Sequence, residues 1–496
     1  MIKRFELTQS QSRVLQQMVD FIFHSQDRIF ILKGYAGTGK TTLMRFLIAE
    51  LQKRNHKYKL LSTTGRAAKI LSNYTGCDAI TIHSLIYKFD GLNKDLSDAD
   101  IRNLNCDETG QLVLDFKPSE LPEEEKNEHN VYIIDESSMI SDTEIRHVVQ
   151  ARFGTGRLLK ELLDYDQTPD AKFVFIGDPC QLPPIEGTFS PALMADYFLH
   201  SFGLHAQEAN LTEVLRQSNE CSIIGAASRL RTLYSGAPDD ISYYNGNKYW
   251  AKLPFRQYSD VVIHADLPNM LNHYLMRIKT KGYNDSIFIC RSNRDAYTIS
   301  THVRNQLGMA GIIDNKDLLM VIQNDCMTGL KNGDLVEVVG VQKDYERTIH
   351  SIDHRGYRTQ LVFREITVKE LFTSKTYTTL LLENTLHSGQ NNLDERQQTG
   401  LFLDFIIRMK RQGITQKNKA SFEQAMRHDP YLNALRCSYG YAVTCHKAQG
   451  GEWNHVYIHT QRNIMLNPTK ATYQWLYTAL TRAKEVAHLI DDFYIS

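Results

Sequence analysis

One eight-residue segment constrains this chain more than any other, the run GYAGTGKT at 34–41, which fits the pattern G-x-x-x-x-G-K-[ST]. It follows a short apolar run at 28–33 and precedes a helical pattern that begins at Thr41. A strand, a glycine-rich turn and a helix in that order form the opening unit of an α/β sheet. The glycines let backbone N–H groups surround phosphate oxygens, and the helix adds the positive end of its dipole. The segment therefore predicts a nucleotide phosphate site formed by Gly37, Gly39, Lys40, Thr41 and Thr42.

An acidic pair supplies the chemistry that such a loop needs. Lys40 is placed to reach the β- and γ-phosphates, and the Thr41 hydroxyl is placed to ligate Mg²⁺. Asp135 and Glu136 close the apolar strand candidate 131–134. We expect Asp135 to be the second metal ligand and Glu136 to orient and deprotonate the attacking water. ATP and Mg²⁺ are therefore the predicted cofactors, and Lys40 and Glu136 are predicted catalytic residues.

A neutral amide follows a further strand. Gln181 comes after the apolar run 173–176, within the segment GDPCQLPP at 177–184. The carboxyl ends of parallel strands lie at one edge of a sheet, where ligands bind. Gln181 is therefore a third catalytic candidate, which could sense the γ-phosphate or the attacking water.

The length of 496 residues is too great for one core, and a second series of strand candidates begins near residue 286. Two stretches interrupt the series, a polar one at 86–130 and one at 326–435 that begins with β-like alternation. The sequence predicts an α/β fold with two α/β domains, each interrupted by an insertion. The predicted ranges are 1–85 with 131–218 for the first domain, 86–130 for its insertion, 219–325 with 436–496 for the second domain, and 326–435 for its insertion.

Composition limits the partners and the compartment. Lys plus Arg and Asp plus Glu both number 57, so the chain has no net basic charge, and any binding of nucleic acid must use a local groove and not a global field. The 8 cysteines show no C-x-x-C spacing and are expected to be reduced thiols. Because no apolar stretch approaches the roughly 20 residues that span a bilayer, we expect a soluble, cytoplasmic protein with no membrane partner.

Eight segments in the right order resemble superfamily one helicases of the B group, the branch of RecD-like and Dda-like DNA helicases. They extend along nearly the whole chain. The segments are Leu7–Gln11 (Q motif), Thr63–Lys69 (Ia), Thr81–Leu85 (Ib), Asp135–Met139 (II), Gly177–Pro183 (III), Leu211–Gln217 (IV), Thr444–Glu452 (V) and Tyr477–Lys484 (VI).

The resemblance implies two RecA-like P-loop NTPase domains with ATP between them, and a small β-barrel in the second insertion. It implies that Arg216 and Arg482 are catalytic arginines, that Glu452 contacts the ribose and that Gln11 reads the adenine edge. It implies nucleic-acid contacts at Thr64, His83, Thr444 and His446, with packing as the alternative for the two histidines. Ser292 and Asn293 could contact the strand on the second domain. Arg66 and Lys69 could add charge near phosphate, with solvated side chains as the alternative. Phe89 and Phe116 are candidates for a residue that splits the duplex, although both suit packing better.

Several alternatives stay open at the level of sequence. Thr8 and Gln11 also fit a capping box for the helix that follows, so Gln11 could serve only its own helix. The resemblance implies a 5′-to-3′ DNA helicase acting as a monomer on single-stranded and forked DNA, with unknown protein partners. An RNA helicase, an ATPase that remodels without separating strands, and a nucleotide-gated scaffold remain rival interpretations.

Overall fold

The first sheet of the computed structural model consists of six parallel strands. In spatial order they are Ala79–Thr81, Tyr58–Ser62, Val131–Asp135, Lys172–Gly177, Ile29–Gly34 and Ala206–Leu211. The structure describes residues 6–92, 114–126, 128–144, 151–185, 187–213, 222–341, 348–354, 357–387, 389, 392–415 and 417–496.

Helices cover both faces of this first sheet. Alternate residues along each strand enter two separate cores: Ile31, Ile134 and Phe175 lie in one, and Leu32, Ile133 and Ile176 in the other. This two-sided burial explains why the strands appear as continuous apolar runs. The helices of this part are Gln9–His24, Lys40–Lys53, Gly65–Thr75, Ile82–Ile86, Leu158–Tyr165 and Ala195–Phe202, with 3-10 turns at Glu123–Glu125, Ser137–Met139 and Pro191–Leu193.

The second sheet has five parallel strands. Their order is Val261–His264, Ala483–Ile490, Trp453–Ile458, Ser286–Cys290 and Ala442–Thr444. The accompanying helices are Ser222–Gly236, Leu267–Lys281, Asn293–Gln306, Cys445–Ala448, Arg462–Met465 and Lys470–Leu480, with a 3-10 turn at Ile241–Tyr244. The two parallel sheets and their helices confirm the predicted α/β class and form two α/β units.

The inserted sheet, which belongs to the second insertion, is antiparallel and has a half-barrel arrangement. Its order is Thr348–His354, Tyr357–Glu370, Leu335–Val341, Leu318–Val321 and Cys437–Tyr439, and Thr376–Leu382 pairs with Tyr357–Glu370. The predicted range 326–435 is too short, because the first and last strands of the insertion lie outside it. Leu318–Val321 is buried at every position, which makes it indistinguishable in sequence from a parallel strand.

The predicted helical piece near 394–428 is two helices, Glu395–Arg411 and Lys419–His428, which follow the short helix Asn384–His387. Glu395–Arg411 packs on the half-barrel through a core that contains Phe363, Leu401, Phe402 and Phe405.

The small sheet contains Tyr87–Leu92, Leu114–Pro118 and Ala151–Phe153. Its third strand lies beyond the predicted insertion 86–130, because a three-residue strand carries too little periodicity to be seen in the sequence. Among the described residues, no helix combines the length and apolar character needed to cross a membrane. The described cysteines Cys77, Cys180, Cys290, Cys326, Cys437 and Cys445 are all free thiols, as expected.

Candidate nucleotide site and nucleic-acid interface

The glycine-rich loop lies between the end of strand Ile29–Gly34 and the start of helix Lys40–Lys53. Gly37 and Gly39 have φ angles of 79° and 84°, in the left-handed region that favours glycine. A Cβ on Gly34 would lie 2.9 Å from Lys40 Cγ, so this position also needs a glycine. The loop thus has the backbone shape that surrounds phosphate oxygens with N–H groups.

Lys40 is held against its own loop. Its Nζ donates to the carbonyl oxygens of Gly34 at 2.6 Å and Tyr35 at 3.1 Å. A phosphate group entering the loop would exchange these neutral acceptors for charged ones, which form stronger hydrogen bonds. The Thr42 hydroxyl is 3.1 Å from the Tyr74 hydroxyl and so has a partner within the chain, whereas the predicted phosphate contact of Thr42 stays a prediction.

The acidic pair lies at the carboxyl end of strand Val131–Asp135 in the first sheet. Burial, and then the neighbouring Glu136 carboxylate, raise the pKa of Asp135 to about 7, against the opposing effect of Lys40. A half-buried carboxylate beside a second one suits a divalent cation, and with the Thr41 hydroxyl it gives the oxygen donors that Mg²⁺ prefers. The residues therefore fit the predicted metal.

Glu136 has a φ angle of 53°, in the left-handed region. A non-glycine residue there carries a strain of about 1–3 kcal/mol, and such residues cluster at functional sites. The strain is consistent with a side chain whose direction is set by function.

Gln181 connects the acidic pair to the second α/β unit. Its amide is buried, and in the orientation that satisfies both neighbours it donates to Glu136 Oε2 at 3.2 Å and accepts from Arg482 Nη2 at 3.1 Å. Its backbone carbonyl also accepts from Gln474 Nε2 at 3.1 Å. The amide thus connects the predicted general base to the predicted arginine.

Arg482 reaches this site from the end of helix Lys470–Leu480 in the second unit. It is 6% exposed, and its guanidinium also donates to the carbonyl oxygens of Thr478 at 3.1 Å and Gly451 at 3.4 Å. Glu452, the predicted ribose contact, is exposed and directly follows Gly451. Arg216 lies outside the described residues.

Two residues that sequence reasoning missed hold the units together. The Tyr477 hydroxyl accepts from Ala36 N at 2.9 Å and donates to Asp178 Oδ2 at 2.7 Å, so it touches both the phosphate loop and the third motif. Thr478 Oγ1 accepts from Leu182 N at 3.0 Å. Both residues lie within the motif VI segment, which was the available signal.

Gln11 forms the capping box that was the alternative to adenine recognition. Its Oε1 accepts from Thr8 N at 3.2 Å, and Thr8 Oγ1 accepts from Gln11 N at 3.3 Å. Its Nε2 also donates to Thr38 O in the phosphate loop at 3.1 Å, and the residue is 2% exposed. Gln11 therefore ties its helix to the loop, and a contact with adenine would require its side chain to change partners.

Two predicted nucleic-acid contacts are helix caps. Thr64 Oγ1 accepts from Ala67 N at 3.2 Å, and Ser292 Oγ accepts from Asp295 N at 3.0 Å. The Ser292 hydroxyl also donates to the Asp295 carboxylate at 2.6 Å, so its proton is already engaged. Thr64 can still donate to a phosphate, whereas Ser292 can do so only by giving up Asp295.

His83 packs in an aromatic cluster. Its ring centroid is 5.2 Å from that of Phe153, edge to face, and 5.5 Å from that of Tyr87. Burial lowers the pKa of His83, which favours the neutral ring over the charged form that would pair with phosphate. This geometry favours the packing interpretation over the predicted phosphate contact. Phe116 stacks on Phe153 at 4.7 Å and is also a packing residue.

A cleft in the second unit contains two of the predicted nucleic-acid contacts and one lysine of motif V. Asn293, Thr444 and Lys447 line it, together with Tyr297 and Tyr439. Burial lowers the pKa of Lys447 to about 8 and also lowers that of half-buried His446, in the adjoining helix Cys445–Ala448. The polar side chains of Asn293 and Thr444 suit contacts with a phosphate backbone.

Arg66 and Lys69 contact protein groups in this structure. Arg66 Nη1 donates to Gly333 O at 3.0 Å, and its guanidinium lies 4.8 Å from the centre of the Trp453 ring. Lys69 forms ion pairs with the buried carboxylates of Asp334, at 3.3 Å, and Glu370. Both cations therefore bind the second unit and its inserted sheet in this structure, where they were predicted to contact phosphate.

Two family models match the chain. A model described as an AAA domain matches residues 6–247, and one described as a UvrD-like helicase C-terminal domain matches residues 439–490. The first contains the phosphate loop and the acidic pair, and the second contains Arg482. The two halves of the described site thus fall within two separate family regions.

Three curated proteins are similar in sequence. An uncharacterised protein of Acanthamoeba polyphaga mimivirus is 23% identical over 96% of this chain and 98% of its own length. The ATP-dependent RecD2 DNA helicase of Deinococcus radiodurans is 25% identical over 47% of this chain, and the ATP-dependent DNA helicase Dda of Enterobacteria phage T4 is 29% identical over 46%. Those two matches cover 24% of RecD2 and 43% of Dda.

Among solved structures, a Pif1 helicase from Bacteroides in complex with ADP-AlF3 and single-stranded DNA is similar at a TM-score of 0.47 and 16% identity, covering 99% of this chain and 93% of that one. A Pif1 helicase from Candida albicans is similar at a TM-score of 0.46 and 13% identity, covering 99% and 96%.

Proposed function

This chain belongs to superfamily one B of the helicases, which are ATP-hydrolysing enzymes, and we propose that it is a DNA helicase that moves 5′ to 3′ on single-stranded DNA and separates duplex strands. The proposed partners are single-stranded and forked DNA, and the proposed working unit is a monomer. The observation that carries the proposal is the continuous connection from Glu136 through Gln181 to Arg482, which joins the two units across the nucleotide site.

In the proposed reaction the two units act on one triphosphate. Glu136 orients the attacking water and accepts its proton, and Lys40 and Arg482 neutralise charge that develops on the transferring phosphoryl group. Mg²⁺ held by Thr41 and Asp135 would neutralise charge on the phosphate oxygens. Gln181 contacts both Glu136 and Arg482, so it aligns the base only when the second unit has closed on the first.

Movement follows from the same connection. Loss of the γ-phosphate removes the negative charge that Arg482 faces. The two units are then joined by the contacts of Tyr477 and Thr478 to the first unit without that attraction, so the cleft can open. Alternate opening and closing changes the distance between the strand contacts on the two units. The proposed contacts are Thr64 in the first unit and Asn293, Thr444 and His446 in the second, with Ser292 and His83 in secondary roles.

The proposed ATPase is tested with Glu136→Gln, beside Lys40→Ala. We expect Glu136→Gln to bind ATP and to lose turnover, because the amide cannot accept a proton, whereas Lys40→Ala loses both. The measurements are fluorescent-nucleotide binding and steady-state hydrolysis on saturating single-stranded DNA. Hydrolysis by Glu136→Gln at the wild-type rate would show that another group is the base.

The choice of nucleic acid is tested by comparing oligomers of one sequence as DNA and as RNA. DNA is expected to stimulate hydrolysis more strongly and to support strand separation on a forked duplex. Greater stimulation by RNA would indicate an RNA helicase. Stimulation by DNA without strand separation would indicate an ATPase that remodels protein–DNA complexes.

A further inference from the structure

Four histidines lie together on one face of the second sheet, away from the nucleotide site. Strand pairing places His488 directly beside Val262 on one side and Tyr457 on the other. Paired residues in parallel strands share a face, and so do residues two apart in one strand. His264, His455 and His488 therefore share this face with Tyr457, and helix Leu267–Lys281 places His273 over it.

The ring nitrogens of these residues converge. His264 Nε2 lies 3.0 Å from His488 Nδ1, and the rings of His273 and His488 are 4.9 Å apart. One ring nitrogen from each of His264, His273 and His488 lies within 4.8 Å of the others. Zinc binds imidazole nitrogen at about 2.0–2.1 Å with tetrahedral angles, so two such nitrogens are about 3.4 Å apart. The cluster needs only small side-chain shifts to reach that spacing.

The rings are in the form that binds metal. Burial lowers the pKa of His264 and His273, and burial together with the surrounding histidines lowers that of His488 to about 2. Neutral imidazole offers a lone pair, so a cation need not displace a proton. Arg277 is the cation near the cluster, and its Nε is paired with the Asp285 carboxylate at 2.7 Å.

Outer contacts orient the rings as they do around metal sites. His488 Nε2 is 2.8 Å from His455 Nδ1, and His455 Nε2 lies 3.8 Å from the Glu485 carboxylate. The Tyr457 hydroxyl is 2.7 Å from His273 Nδ1. Partners of this kind fix the tautomer and the direction of a ligating ring.

We propose that His264, His273 and His488 form a binding site for a divalent transition-metal ion of the zinc type. Three imidazoles and no thiolate suit Zn²⁺ better than Mg²⁺ or Ca²⁺, which take oxygen ligands. His273 is exposed, so the fourth position faces solvent and is left to water. A bound ion would fasten the edge strand Val261–His264 and helix Leu267–Lys281 to strand Ala483–Ile490.

The test uses the full-length chain without an affinity tag, freed of metal with a chelator. Co²⁺ titration followed by visible absorption reports the coordination, and Zn²⁺ competition against a chromophoric chelator gives the affinity. We expect one equivalent of ion, an affinity at least about tenfold weaker in His273→Asn and His264→Asn, and a melting temperature that Zn²⁺ raises in the wild type but not in these two variants.

The matched control is His302→Asn, since His302 is an exposed histidine on helix Asn293–Gln306 outside the cluster. It should bind like the wild type. Equal melting temperatures of His273→Asn and wild type in chelator show that the variant folds. The absence of stoichiometric binding, equal affinity in the cluster variants, or an equal loss in His302→Asn would each overturn the proposal and leave a hydrogen-bonded group of neutral histidines.

Discussion

At the scale of single residues, Gln181 is the amide on which communication between the two units depends. It lies between Glu136 and Arg482 and touches both, so its removal breaks the side-chain contact that connects the predicted base to the predicted arginine. We expect Gln181→Ala to lower kcat by roughly 10²-fold and Arg482→Ala by roughly 10³-fold, with ATP affinity largely kept. Steady-state kinetics and nucleotide binding measure the two effects.

The double variant separates a shared role from independent ones. If Gln181 acts through Arg482, Gln181→Ala/Arg482→Ala should be little slower than Arg482→Ala alone, because residues of one network are not additive. Gln16→Ala, an exposed glutamine on helix Gln9–His24, is the control and should leave kcat unchanged. If the fold-losses in kcat of the two single variants multiply in the double variant, Gln181 and Arg482 act independently, which would contradict the proposed connection.

Single residues also mark the limit of reasoning from sequence. The phosphate loop was predictable because Gly37 and Gly39 encode its backbone shape locally. The roles of Thr64 and Ser292 could not be predicted in the same way, because a hydroxyl just before a helix suits both a helix cap and a phosphate contact. His83 packs on Phe153, a contact between distant segments that no local pattern reveals.

At the scale of elements, helix Gly65–Thr75 is fastened to the inserted sheet. The Lys69 ammonium faces Asp334 and Glu370, which are 4% and 1% exposed. Burial raises the pKa of Asp334 against the opposing effect of Lys69. The ionisation of the three groups is therefore linked. The sequence did not predict these ion pairs, because Lys69 is far from Asp334 and Glu370 along the chain.

Removal of Lys69 should destabilise this contact. Lys69→Met leaves two buried carboxylates without their cation, and the expected loss is below the roughly 3–5 kcal/mol of a fully buried pair because Lys69 is partly exposed. Adding Glu370→Gln removes one of the two charges and should restore part of the loss. Urea unfolding at pH 7 measures both variants. Equal stability of Lys69→Met and wild type would show that the ion pairs contribute nothing in solution.

Lys69 on helix Gly65–Thr75 can also be tested for a role in binding single-stranded DNA. Lys69 and Arg66 bind the second unit and its inserted sheet in this structure, and both lie in the segment predicted to face the DNA strand. We expect Lys69→Met to change the affinity for single-stranded DNA, measured by fluorescence anisotropy across a salt series. A steeper salt dependence in the wild type would mean that Lys69 transfers from its carboxylates to phosphate. Identical salt slopes would confine it to the protein contact.

At the scale of the whole molecule, direction of movement is the property that the nucleotide chemistry leaves open. Every motor of this kind closes its two units around ATP, and polarity depends on which unit grips the strand while closed. The B-group motifs, Thr444–Glu452 above all, and the half-barrel inserted into the second unit favour 5′-to-3′ movement. A duplex with a 5′ single-stranded tail should therefore be opened, whereas a blunt duplex or one with a 3′ tail should be opened poorly.

The measurement compares three fluorescent substrates of equal duplex length with a 5′ tail, a 3′ tail or no tail, in a single turnover with a trap for released enzyme. Thr444→Ala and Asn293→Ala probe the strand path and should lower DNA-stimulated hydrolysis more than the basal rate, because both line the cleft of the second unit. His302→Ala, on an exposed helix surface, should match the wild type. Preferential opening of the 3′-tailed substrate would reverse the polarity, since it would require the closed molecule to hold the strand through the other unit.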